Sequence, residues 1–274
     1  MLRLILERIL LQCEGLNKKG YYVCLINIVI IMDQNAKNER DKKYNLWARR
    51  MPAVICLIFP FSIFLVIAFS QESVKQNEIV WYVTKALAWG GAIFTALMFL
   101  LKAVIRDFSA MIVDNVFFNE LCYSHYMCRI LMKKGRGISE ASYNKIVNYQ
   151  KDKKKIDIEE NGIGKAEKNK RIKDVVYNIK NETREDNIVF EYNCFYGFYR
   201  NLFGGTIISL VLVFFSSRIF DSLISSTGIP ITDYLYPVLI IIMVLSLIFM
   251  YYNDRKYAIK MFNSYLTTID NQTE

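Results

Sequence analysis

Histidine is almost absent from this 274-residue chain, His125 being the single one. Neither a Ser-His-Asp nor a Cys-His-Asn arrangement therefore has a local companion set. No Walker loop, Rossmann fingerprint, HExxH helix or paired-carboxylate pattern occurs either, so the chain reads as non-enzymatic and without a cofactor. The six cysteines, Cys13, Cys24, Cys56, Cys122, Cys128 and Cys194, are scattered and fall mostly in segments expected inside the cell, where a disulfide framework is not expected. Cys122, His125 and Cys128 fan around a helix with no fourth ligand nearby, so no metal site is expected. A packed helix is the reading for that stretch.

Charge is also missing, from long blocks. Hydrophobic residues make up 53% of the chain, and they are gathered into runs long enough to cross a bilayer core, which takes about 20 residues. The expectation is an all-α membrane protein with four transmembrane helices and a helical cytosolic insert between helices 2 and 3. The first span runs from Met51 to Phe69 and carries Pro52 and Pro60, which membrane helices tolerate when neighbours satisfy the freed backbone. The second runs from Trp81-Tyr82 to Ile105, with Gly90-Gly91 inside it and Lys85 and Lys102 near its ends. The third covers Gly205 to Ser222 and the fourth Tyr234 to Tyr252.

The net charge of +9 sits between these blocks. Lys37, Arg40, Lys42, Lys43, Arg49 and Arg50 precede the first span, whereas both outer loops are poor in lysine and arginine. Arg255, Lys256 and Lys260 follow the last span. Every loop therefore places both termini in the cytosol. The segments read as 1–50 amino-terminal and interfacial, 51–105 first hairpin, 106–202 basic cytosolic module, 203–252 second hairpin and 253–274 cytosolic tail. Two readings stand for the first 31 residues: Gly20 to Met32 forms an interfacial or re-entrant helix, or translation starts at Met32.

Within the module, 108–132 reads as a helix continuing from the second span, ended by Lys133-Lys134-Gly135-Arg136-Gly137. Glu140 to Glu160 and Lys165 to Asn181 read as charged helices around the turn Asn161-Gly162-Ile163-Gly164. KDKKK and KNKRIK are either solvated faces or a surface for anionic lipid or phosphate. Nucleic acid is the weaker reading of this charge.

Two constellations stand out. Asn181 to Gly205 mixes polar residues with aromatics just before the third span, and Arg184, Tyr196, Arg200 and Asn201 are its ligand or gating candidates. It is read either as an anchor or as a hinge, with Gly197 permitting a bend and Arg200 gripping a phosphate or an acid. Arg218 and Asp221 share a helix face at the outer end of the third span, as a pore mouth or as an interfacial pair. No charge lies at mid-span, which argues against a proton-coupled pump.

The stretches Trp47-Ala48-Arg49-Arg50-Met51-Pro52-Ala53, Arg106-Asp107, Thr183-Arg184, Tyr196 to Leu202 and Tyr257-Ala258 resemble those of a group of bacterial multi-pass membrane proteins with four predicted helices, proposed as membrane effectors of antiphage or mobile-element systems. The likeness covers Tyr44 to Leu266. After Arg106-Asp107 it departs: those relatives carry Trp-Gly-Gly and Pro-Thr-Thr where this chain has Phe117 to His125, so no role is carried over there. The resemblance implies a setting in the bacterial inner membrane. The leading expectation is a homo-oligomeric effector, pore-forming or membrane-disrupting, on a bilayer with anionic headgroups, with a nucleotide or protein trigger at the module. A scaffold recruiting a cytosolic enzyme is the second. A lipid-modifying enzyme using Arg184, Glu185 or Asp186 ranks last.

Overall fold

A computed structural model of the chain describes residues 37–70, 98–113, 125–132, 137–160, 162–219 and 231–273, together with 34 and 96. Every helix or strand element among the described residues is a helix. The chain divides into a unit up to Leu46 and a unit from Trp47 onward. In the first, residues 37–44 are helical. A π-helical turn at Asn45–Arg50 then leads into α1, Met51–Ser70. Next come α2 over 98–112, α3 at Tyr126–Met132, α4 at Glu140–Lys154, α5 at Lys165–Glu182, α6 at Asn187–Ile219 and α7 at Ile231–Thr273.

Three stretches, Lys37–Ile63, Asn187–Ile219 and Thr232–Gln272, are long and apolar enough to cross a membrane. The second span expected from the sequence lies mostly outside the described residues, as do Cys122 and the segment Gly20 to Met32. Of that span, residues 98–105 are described, and they are helical.

Four apolar layers set the direction of each helix. Ile63, Val213 and Leu239 form the first layer; Ala53, Cys56, Ile105 and Leu202 form the second. Val113, Tyr196, Phe203 and Met250 form the third, and Val189 joins Tyr257 and Ala258 in the fourth. Down this series residue numbers fall along α1 and α6 and rise along α2 and α7. The helices α1 and α6 are thus parallel, with α2 and α7 antiparallel to them.

The fourth layer is the core of a separate helical head. Met127, Ile130 and Leu131 of α3, Ile146 and Val147 of α4, and Ile172, Val175 and Ile179 of α5 meet Met261, Phe262, Tyr265 and Ile269 of α7. Residues 257–269 thus pack into this core. Its apolar positions recur at helical spacing and close the core of a module whose own segment is short of core residues. At 43 residues, α7 spans about 65 Å.

Further boundaries differ from expectation for local reasons. The first charged helix ends at Lys154 rather than Glu160, because Lys155 adopts a left-handed φ of 58°. Lys151 and Lys154 of KDKKK are paired with Asp157 at 2.8 Å and Glu182 at 2.9 Å, so that run is partly neutralised within the head. The third apolar helix starts at Asn187, where Asp186 Oδ1 accepts the N–H groups of Ile188 at 2.7 Å and Val189 at 3.1 Å. It continues unbroken through Gly197.

Two results are expected. A β-carbon on Gly204 would lie 2.9 Å from the Ser109 Cα of α2, a contact relieved only by moving backbone. Gly204→Ala should therefore cost about 1–3 kcal/mol, read as a lowered melting midpoint in detergent. Lys151 and the Glu159 N–H hold the Asp157 carboxyl below its ordinary range. Its contribution is present above the unfolded carboxylate pKa and is lost as pH falls through the lower folded value. Asp157→Asn should accordingly flatten the acid limb of the stability profile.

Candidate functional site at the head and bundle junction

Proline decides the local structure of α1. In an α-helix the N–H of residue i serves the carbonyl of i−4, and proline has no N–H and crowds that carbonyl with its ring. Pro60 thus deprives Cys56, and Pro52 offers no N–H to Ala48, which lies in a π-helical turn. The π-helical turn at Asn45–Arg50 lies immediately before Pro52 and contains Ala48.

Both carbonyls are served from α6. Asn201 Nδ2 donates to Ala48 O at 2.5 Å, and Ser209 Oγ donates to Cys56 O at 2.7 Å. Asn201, Ser209 and Ala48 are all buried. Between these bonds, Gly204 and Gly205 face two different helices, as neighbours about 100° apart around a helix must. A β-carbon on Gly205 would meet Cys56 Sγ of α1 at 2.6 Å, and one on Gly204 would meet Ser109 of α2. Small residues let α1, α2 and α6 approach to backbone distance, and side-chain oxygen and nitrogen satisfy the backbone there.

On the head side of this girdle, Arg200 lies over the Tyr196 ring at 5.8 Å, and Tyr196 meets the His125 ring edge-on at 6.3 Å. Asp254 of α7, 2% exposed, accepts the Tyr126 N–H at 3.0 Å through Oδ2 and faces His125 Nδ1 at 3.6 Å through Oδ1. Its carboxylate caps the first turn of α3. Arg255 covers the Tyr126 ring at 5.6 Å. The Nε of Arg200 and the Oδ1 of Asn201 are buried without a hydrogen-bond partner among the described residues.

Of the residues singled out from the sequence, Tyr196, Arg200 and Asn201 come together here. Arg184 does not, being exposed in the turn between α5 and α6. Arg218 is exposed at the end of α6 and lies over Phe214 at 5.6 Å, while Asp221 falls outside the described residues. Among the described residues no group of three His, Cys, Asp or Glu could hold a metal, and Cys128 is buried in the head core. Sequence reasoning missed Asp254, Ser109, Gly204 and Ser209. Pro52 and Pro60 were the available signal for Ser209, since each proline implies an acceptor four residues earlier.

Comparison with protein-family models, with curated proteins and with solved structures finds no match for the chain.

A double-mutant cycle tests the proline account. Asn201→Ala should cost about 1–3 kcal/mol with Pro52 present, because it leaves a buried carbonyl unserved. With Pro52→Ala, which restores an N–H to that carbonyl, the cost should shrink, giving a coupling of about 0.5 kcal/mol or more. Additive effects on the melting midpoint would contradict the account.

Proposed function

We propose that the protein is a non-enzymatic effector of the bacterial inner membrane that passes a change in its cytosolic head to a four-helix membrane bundle and makes the membrane leak. The observation that carries this reading is the continuity of α6 and α7 from the apolar layers into the head core. A head whose core is built on the ends of two membrane helices cannot rearrange without moving them. The alternation of α1, α2, α6 and α7 supports four spans. With basic residues flanking the head side of α1, it supports cytosolic termini as well.

The girdle at Asn201 and Ser209 sits where such a change arrives, and Arg200 and Tyr196 lie directly on its head side. The effector reading includes assembly as a homo-oligomer. Its trigger, a nucleotide or a protein, acts on the head. The antiphage setting rests on the resemblance in Trp47 to Ala53 and Tyr196 to Leu202.

The scaffold reading has one observation in its favour. Tyr177, Ile188 and Phe195 are 65%, 54% and 43% exposed on α5 and α6, apolar surface available to a soluble partner.

Expression in bacteria with a potential-sensitive dye separates the two. The effector should depolarise cells, and Arg200→Ala should remove most of that signal while membrane insertion and melting midpoint are kept. Retained polarity with wild-type protein, alongside a partner recovered through Tyr177 and Ile188, would favour the scaffold.

A further inference from the structure

The end of α2 and the start of α3 rest on the same neighbours. Val113, at the end of α2, shares an apolar layer with Tyr196 of α6 and Met250 of α7. His125, at the start of α3, meets the Tyr196 ring edge-on at 6.3 Å and places Nδ1 3.6 Å from Oδ1 of Asp254, which stands one turn beyond Met250 on α7. Tyr126 donates its N–H to Asp254 Oδ2 at 3.0 Å, and Arg255 covers its ring at 5.6 Å. Further along α3, Met127, Ile130 and Leu131 belong to the head core with α4 and α5. A movement of α4 and α5 that carries α3 with it must therefore pull against its fastening to α7 at Asp254.

That fastening is only partly satisfied. Asp254 is 2% exposed, and a carboxylate taken out of water needs its oxygens hydrogen-bonded to recover the cost of burial. Oδ2 has the Tyr126 N–H, whereas Oδ1 is buried with no hydrogen bond among the described residues, His125 Nδ1 lying beyond hydrogen-bond length. A single buried hydrogen bond contributes modestly in net terms, enough to bias a two-state arrangement and little enough to be released. Its place decides what release does. The stretch 250–254 of α7 and Tyr196 hold the end of α2 as well as the start of α3. Farther along α2, its contact with Gly204 of α6 is steric, and the Ser109 hydroxyl there bonds to Ile105 of its own helix.

We propose that Asp254, with Tyr126 and His125, is an autoinhibitory latch: it fastens the start of α3, and beside it the end of α2, to α7 and keeps the bundle closed until the trigger withdraws α3. The inhibitory role rests on the effector reading given above. The latch is the contact through which the state of the head is passed to α2.

Amide hydrogen exchange of the full chain in detergent, paired with ion leak from proteoliposomes of the same protein, tests the latch. Asp254→Ala should speed exchange about fivefold in 106–113 and 126–132, the shift that loss of one net hydrogen bond gives a two-state equilibrium. Protection of 140–154 and 165–182 should be kept. The same variant should leak without a trigger, faster than wild type by a similar factor. Asp270→Asn, which removes the ion pair with Lys145 elsewhere on α7, should alter neither readout. Where Asp254→Ala fails to fold, Asp254→Asn takes its place; it loses only the charge facing His125 and should give the same pattern at smaller size. Wild-type protection of 106–113 and 126–132 in the folded variant, or equal loss in Asp270→Asn, overturns the latch. Protection lost throughout 140–182 as well overturns it in favour of a residue that only holds the head together. Faster exchange confined to 106–113 and 126–132, with no leak from wild type or variant, supports the fastening and overturns the effector reading together with the inhibitory role.

Discussion

A carbonyl stripped of its N–H inside an apolar bundle must find another donor, and this protein meets that requirement twice with the same spacing. Ala48, in the π-turn before α1, and Cys56 on α1 are eight residues apart, as are Pro52 and Pro60, and the donors Asn201 and Ser209 are eight apart on α6. Eight residues rise about 12 Å along α6. Both bonds can form together only if α1 and α6 run parallel and in one register. The glycines between the donors make that register reachable, since a β-carbon at Gly205 would hold the helices apart at Cys56. The rest of the bundle is arranged around this fixed pair, with α2 and α7 packed antiparallel to it.

Below the pair, the head depends on it through α6 and through α7. The core that joins Ile130, Ile146 and Ile172 is incomplete without Met261, Phe262 and Tyr265, so the carboxyl-terminal half of α7 belongs to the head by packing. Asp254 marks the changeover. It is the first buried acidic residue after the apolar run; its Oδ2 accepts the Tyr126 N–H, and its Oδ1 faces His125 at 3.6 Å. Tyr143 and Tyr265 add polar contacts within the same core, the former reaching Glu159 at 3.1 Å and the latter Gln150 at 2.7 Å. Desolvation raises both phenol pKa values above the ordinary range.

How much of this was legible in the chain depends on whether the signal was local. The apolar runs at Met51, Gly205 and Tyr234 were plain, and α5 begins and ends within a residue of its expected bounds. The head portions of α6 and α7 were not, because hydropathy reports where a helix leaves hydrocarbon and not where it stops being a helix. Asn253, Asp254, Arg255 and Lys256 look like an interfacial boundary, yet helical spacing resumes at Tyr257 and runs to Ile269. Tyr196, Arg200 and Asn201 were recognisable as an unusual polar group at membrane depth. The partner of Asn201 was not, since an acceptor 153 residues away is fixed only by the register of α1 on α6. The reach of Asp254 to the first turn of α3 was hidden for the same reason.

The matched spacing also limits how the molecule can move. Sliding α1 along α6 by one turn would unserve both carbonyls at once, with a cost near that of two buried unsatisfied acceptors, about 2–6 kcal/mol. Separate motions of α1 and α6 are therefore disfavoured, and the two travel as a unit. The contact of α2 with the same region is different in kind: Gly204 and Ser109 touch by shape, and Ser109 Oγ bonds to the Ile105 carbonyl of its own helix rather than across the interface. Steric contact without an interhelical hydrogen bond can part at lower cost. A change passed from the head to the bundle would therefore part the contact of α2 with α1 and α6 before it parted α1 from α6.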